Sequence, residues 1–159
     1  MKKNSFILLI ICFAVCFCSC RQEEMEPGKM TAIKFDQNEL LLDAEENAIL
    51  LHANNGSWDV SSVIVEDAKG TRTYIGLDEE VYTLIQGNQR RNVGKAEFDE
   101  WFRFSRPRTN DWKDLEIHLD KNTSGKRRKL TFDIEGGIGF IGANIVVNQG
   151  EGSPATSGL

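Results

Sequence analysis

The sequence predicts an all-β sandwich, and three observations carry the prediction. Apolar residues recur at every second position through a series of short runs. Clusters of Asn, Gly, Asp and Ser separate those runs at regular intervals. A single stretch, Lys95–Trp101, has the makings of a short helix. Period-two patterning with polar partners is what a strand buried on one face requires, because successive side chains point to opposite faces of a sheet. Many short strands with turn chemistry between them point to a sandwich.

Taken in order, Ile33 and Phe35 alternate with Ala32 and Lys34. Ile49, Leu51 and Ala53 alternate with Leu50 and His52. Trp58 and Val60 bracket Asp59. Strand-like pieces follow at Val63–Val65, Thr73–Leu77 and Val81–Ile85. Leu115, Ile117 and Leu119 then alternate with Glu116 and His118, and Leu130, Phe132 and Ile134 with Thr131 and Asp133. The turns lie at Asn54-Asn55-Gly56, Lys69-Gly70, Gln86-Gly87-Asn88, Asn122-Thr123-Ser124-Gly125 and Glu135-Gly136-Gly137. These residues tolerate positive φ or bond their own backbone. Glu151–Leu159 has the composition of a loose tail.

A chain of 159 residues implies one folded domain, and 40% hydrophobic residues suffice for a core. The net charge is −5; without Lys2 and Lys3, 17 basic residues face 24 acidic ones, a balance of −7. An acidic chain argues against nucleic acid as a partner, because phosphates need a basic face. The run Lys126-Arg127-Arg128-Lys129 is a local exception, expected to form a charged turn or edge. All four cysteines fall within the first 20 residues, so none remains for a disulfide, a zinc site or a nucleophile in the folded part.

The N-terminus explains those cysteines. Lys2 and Lys3 precede an uncharged apolar run, Phe6–Phe17, that is too short for a membrane span and has the anatomy of an export signal. Phe17-Cys18-Ser19-Cys20 resembles the lipobox of bacterial lipoproteins. The resemblance implies a signal peptide over residues 1–19, cleavage before Cys20, and lipid on its thiol and amino group. Each buried CH₂ contributes roughly 0.8 kcal/mol, so several acyl chains anchor firmly. Arg21-Gln22-Glu23-Glu24 resembles the surface-export signal of Bacteroidetes lipoproteins, which implies an outer-membrane, cell-surface location. Residues 20–30, with Pro27-Gly28, read as a flexible tether, and residues 31–150 as the folded domain.

The catalytic motifs do not survive scrutiny. Gly137-Ile138-Gly139-Phe140-Ile141-Gly142 spells a dinucleotide loop, but that loop needs a following helix to present its N-terminus to phosphate. Too little chain remains for one. His52 and His118 lack the spacing of a metal pair. No serine has an elbow context, and Asp78-Glu79-Glu80 reads as a solvated loop rather than a glycosidase pair. The expectation is a non-enzyme with no cofactor and no metal.

The aromatics hold more information. Sugars stack on exposed indole and phenol rings. Trp58 and Trp101 sit among alternating apolar residues and are expected in the core. Trp112 lies in the polar loop Pro107–Asp114 and is the first candidate for ligand contact, with Tyr74 and Tyr82 after it.

Five segments of the chain form a set: Asp99–Ser105 with its Trp-Phe pair, Leu115–Leu119, Asn122-Thr123-Ser124-Gly125 with Arg127-Arg128, Leu130–Ile134, and Ile145-Val146-Val147-Asn148-Gln149-Gly150. With Trp58-Asp59-Val60 before them, they resemble the BACON domain of secreted Bacteroidetes proteins over roughly Thr31–Gly150. The resemblance implies an immunoglobulin-like sandwich with Trp58 and Trp101 as packing residues. The span Ser61–Glu100 is longer than the family's link and is insertion-like. The resemblance also implies association with polysaccharide uptake, and hence a surface module that binds polysaccharide or mucin glycans. The alternative is a structural or protein-interaction lipoprotein that docks on an outer-membrane partner.

Overall fold

The computed structural model describes residues 30–77 and 79–153. Cys20, the leader, most of the tether and residues 154–159 lie outside the described residues. The fold is an all-β sandwich, as expected. In chain order the strands are β1 Thr31–Ala32, β2 Glu39–Leu42, β3 Asn47–His52, β4 Trp58–Asp67, β5 Gly70–Ile75, β6 Val81–Gln86, β7 Gln89–Gly94, β8 Phe102–Ser105, β9 Asp114–Leu119, β10 Arg128–Gly136, β11 Phe140–Ile141 and β12 Ala143–Gln149. One sheet has seven strands in the order β2-β12-β10-β4-β5-β6-β7; another has three, β3-β9-β8; β1 and β11 form a small parallel pair.

The core lies between the two larger sheets, and aromatic rings join them. Phe102 and Phe104 of β8 meet Phe132 of β10 at 6.5 and 5.4 Å between centroids. Val63 and Val65 of β4, Leu115 and Ile117 of β9, Leu130 and Phe132 of β10 and Ile145 of β12 are all fully buried. Each is an inward position of a period-two run. Trp58 and Trp101 are buried as well.

Ser61–Glu100 is continuous with the large sheet. Ser61 lies in the middle of β4, which runs unbroken for 10 residues. The rest of the span adds β5, β6 and β7 as successive antiparallel neighbours. Lys95–Trp101 forms only a 3₁₀ turn at Lys95–Glu97 before the chain extends. A helix there would not let Phe98 reach Tyr74, Tyr82 and Phe102 while Glu100 turns onto Arg72.

The turn Asn122–Gly125 is a hub. Asn122 is buried; its amide nitrogen donates to the Lys126 and Gly150 carbonyls at 2.7 Å each. Its Oδ1 accepts from the Ser124 N–H and hydroxyl. The side chain ties the β9–β10 turn to the end of β12. Asn122→Ala leaves those groups covered and unpaired, so a loss of about 2–3 kcal/mol is expected in denaturant unfolding.

Candidate functional site

Two places could meet a ligand. The first is the loop that carries Trp112. Asn110, Asp111 and Trp112 have φ of 52°, 54° and 61°, three consecutive left-handed residues without a glycine. Asn and Asp visit this region at modest cost; for Trp it is strained, on the order of 1–3 kcal/mol. The surroundings hold the strain in place. Asn110 donates to Asp114 at 2.8 Å, and the Trp112 and Lys113 N–H groups return to Thr109 and Asn110 carbonyls. Gly56 packs against the turn so closely that a Cβ there would lie 2.0 Å from the Asp111 carbonyl oxygen. That contact explains the glycine in Asn54–Val60.

Trp112 is 41% exposed, with the Arg106 and Arg108 guanidiniums 5.3 and 5.2 Å from its ring. Arg106 also lies over Trp58 at 4.4 Å, bonds Asp59 at 2.6 Å and donates to the Gly56 carbonyl. It rivets this loop to the start of β4. Beside it, hydrogen bonds from Asn110 and then from His52 hold the Asp114 carboxyl below its usual pKa. His52 therefore has a partner of its own. His118 sits across from Ala48 on the exposed face of the small sheet.

Tyr74 and Tyr82 correct the sequence reading. Both are 3% exposed and belong to the core. Tyr74 donates to Glu100 and touches the rings of Tyr82, Phe98 and Phe102. Burial, and then the hydrogen bond to Glu100, push its hydroxyl pKa up. Neither ring has a free face on which a sugar could stack. Trp112 has no exposed aromatic partner from that trio.

The second place is a cleft of about 430 Å³ that follows from strand number. The small sheet stops at β8, while the large sheet continues through β5, β6 and β7. Between β8 and that overhang the walls are Val60, Leu77, Tyr82, Phe98 and Phe104, with Asp59, Lys95, Arg103, Ser105 and Arg106 at the rim. Arg103 and Arg106 bring positive charge to the rim, and Asp59 is paired with Arg106. β8 has no strand on its outer side among the described residues, and Arg103 donates to the Glu100 and Phe102 carbonyls along it. β7 is the far edge of the large sheet, with Gln89–Asn92 exposed. No sequence signal pointed to the cleft, because no single segment contains it.

A third polar cluster is structural. Arg72, 5% exposed, bonds both Asp67 and Glu100 through its guanidinium at 2.8–3.0 Å. Trp101 Nε1 donates to Asp67 at 2.9 Å. Arg128 lies 4.9 Å from the Trp101 ring. Two members of the basic run around it have acidic neighbours: Lys129 meets Glu66 at 2.7 Å and Arg127 approaches Glu151 at 3.5 Å. Lys126 and Arg127 lie in the turn before β10 while Arg128 and Lys129 open that strand, which is paired on both sides, so the run is a charged turn and not a sheet edge. Among the described residues no group of three or more His, Cys, Asp and Glu side chains is arranged to hold a metal.

No protein-family model matches the chain, so the likeness to the BACON domain rests on its residues alone. No curated protein matches either. Among solved structures, the NMR structure of a protein from Bacteroides thetaiotaomicron is similar, with 18% identity over 80% of this chain and 95% of that one and a TM-score of 0.49.

Proposed function

We propose that the chain is a non-catalytic, lipid-anchored protein of the outer-membrane surface that binds an extended polypeptide segment in the cleft beside β8. The observation that carries this reading is the cleft itself: apolar walls, a cationic rim and a strand edge along one side. Extended segments add to open strand edges through their backbone, while pockets for alternate side chains supply selectivity. The rim favours a segment with apolar residues and acidic flanks. The exposed edge at β7 gives the same reading a second surface, although Arg90 and Arg91 discourage indiscriminate pairing there.

Selecting random displayed peptides on the detergent-solubilised lipoprotein tests the reading. Enriched peptides should combine alternating apolar residues with acids. Leu77→Asp or Ser105→Trp should weaken them about tenfold or more, near 1.4 kcal/mol. Ser105 is exposed, so its substitution leaves the core alone.

One observation favours a second reading, the glycan module. Trp112 is half exposed on a strained, pre-shaped turn between two arginines. Retardation of the protein by an immobilised glycan, lost in Trp112→Ala, would favour it over the cleft.

A further inference from the structure

Exposed apolar side chains are scattered over the sandwich, Leu41 and Val81 among them, but three of them meet at one end. Ile138 is 98% exposed at the tip of the β10–β11 turn, and Ile141 and Met30 are more than half exposed. They are neighbours. The Thr31 N–H donates to the Gly139 carbonyl and the Ile33 N–H to that of Ile141, which sets Met30 beside the tip. The Gly137 N–H donates to the Ser57 carbonyl, and Gly56 packs on the Trp112 turn, so Trp112 stands at the rim of the same end. The glycines of Gly137–Gly142 thus hold two isoleucines out on a narrow point. Residues needed only for a turn would be polar.

The position of the chain entry says what covers this end. Met30 is the tenth residue after Cys20. Ten residues span at most about 35 Å even when fully extended. If Cys20 is acylated, the chain enters the domain at this end, so this end is the one held nearest the bilayer. The opposite end, with Ser124, lies beyond the full length of β10, roughly 30 Å away. We infer that the tip formed by Met30, Ile138 and Ile141 seats in the lipid headgroup layer and fixes the orientation of the domain on the membrane. Trp112 then lies at the level where indoles settle among headgroups, and Arg108 meets anionic lipid. The cleft beside β8 stays on the flank. This inference rests on the lipid anchor of the proposed function, and it makes the opposite demand on Trp112 from the glycan reading.

The test uses the full lipoprotein in vesicles of phosphatidylethanolamine and phosphatidylglycerol. Processing removes Cys12, Cys16 and Cys18 and acylates Cys20, so Ile138→Cys or Ser124→Cys can be labelled alone with an environment-sensitive fluorophore. Both sites are exposed; the Ser124 hydroxyl also bonds Asn122, so a thermal melt of each labelled variant checks that the fold is kept. The expected result is quenching by nitroxide-bearing lipid at 138 and none at 124. Equal absence of quenching in a protein that floats with the vesicles and carries the lipid mass overturns this inference alone. A protein without the lipid mass overturns the anchor as well. Protection at 138 that appears only in native outer membranes assigns the tip to a protein, and also overturns the inference.

Discussion

Arg72→Leu is expected to destabilise the domain by about 3–5 kcal/mol, because it leaves two buried carboxylates without their cation. Asp67 and Glu100 each have side chains about 5% exposed, and Arg72 bonds both. The network joins the β4–β5 hairpin to the segment leading into β8, so its loss loosens one wall of the cleft. Replacing all three ionic residues by Met or Leu, with Tyr74→Phe, should recover most of the loss. A buried pair exchanged for apolar groups is often neutral, whereas one orphaned charge is not.

The same network sets a pH dependence. Burial raises the Asp67 pKa, but the hydrogen bonds from Arg72, the Lys69 N–H and Trp101 outweigh it and hold the carboxyl at about 2, against 3.8 ordinarily. The folded pKa is the lower one. The stabilisation is therefore complete above about pH 4 and disappears as pH falls towards 2, a loss of about 2 kcal/mol. Guanidinium titrations across that window should show it in the wild type and show less of it in Arg72→Leu.

Phe102→Ala is expected to cost a similar 3–5 kcal/mol. Phe102 is fully buried and meets Tyr74, Phe98, Trp101 and Phe132 edge-on, with centroids 5.4 to 6.5 Å away. Such pairs add about 0.5–1.5 kcal/mol each beyond burial. With Tyr74, Phe102 links the small sheet, the large sheet and the Phe98 segment. Its removal opens a void that rigid rings fill poorly. Phe102→Leu should cost markedly less, and a loss equal to that of alanine would mean that ring geometry matters more than volume.

The strands legible in the sequence were those with one wet face. β3, β9 and β10 alternate cleanly because solvent covers their outer sides. β7 escaped notice because Val93 is its one buried residue; an edge strand exposed on both faces has no period to read. β2, Glu-Leu-Leu-Leu, breaks alternation at Leu41, which is 80% exposed. Trp58 and Trp101 were legible as core from their apolar neighbours. Tyr74 and Tyr82 were not, since a tyrosine among threonines and glycines looks the same whether the sheet above it is covered or bare. Their burial depends on Phe98 and Phe102, more than 15 residues away in the chain. The cleft exists because one sheet has more strands than the other, a property of topology rather than of any motif.

Peptide and glycan binding measured side by side on the same lipoprotein, in wild type, Leu77→Asp and Trp112→Ala, separates the cleft from the Trp112 loop. Selected peptides are expected to bind the wild type and Trp112→Ala alike and to lose affinity for Leu77→Asp. Binding of a glycan that Trp112→Ala abolishes and Leu77→Asp preserves, with no peptide retained, would contradict peptide binding in the cleft.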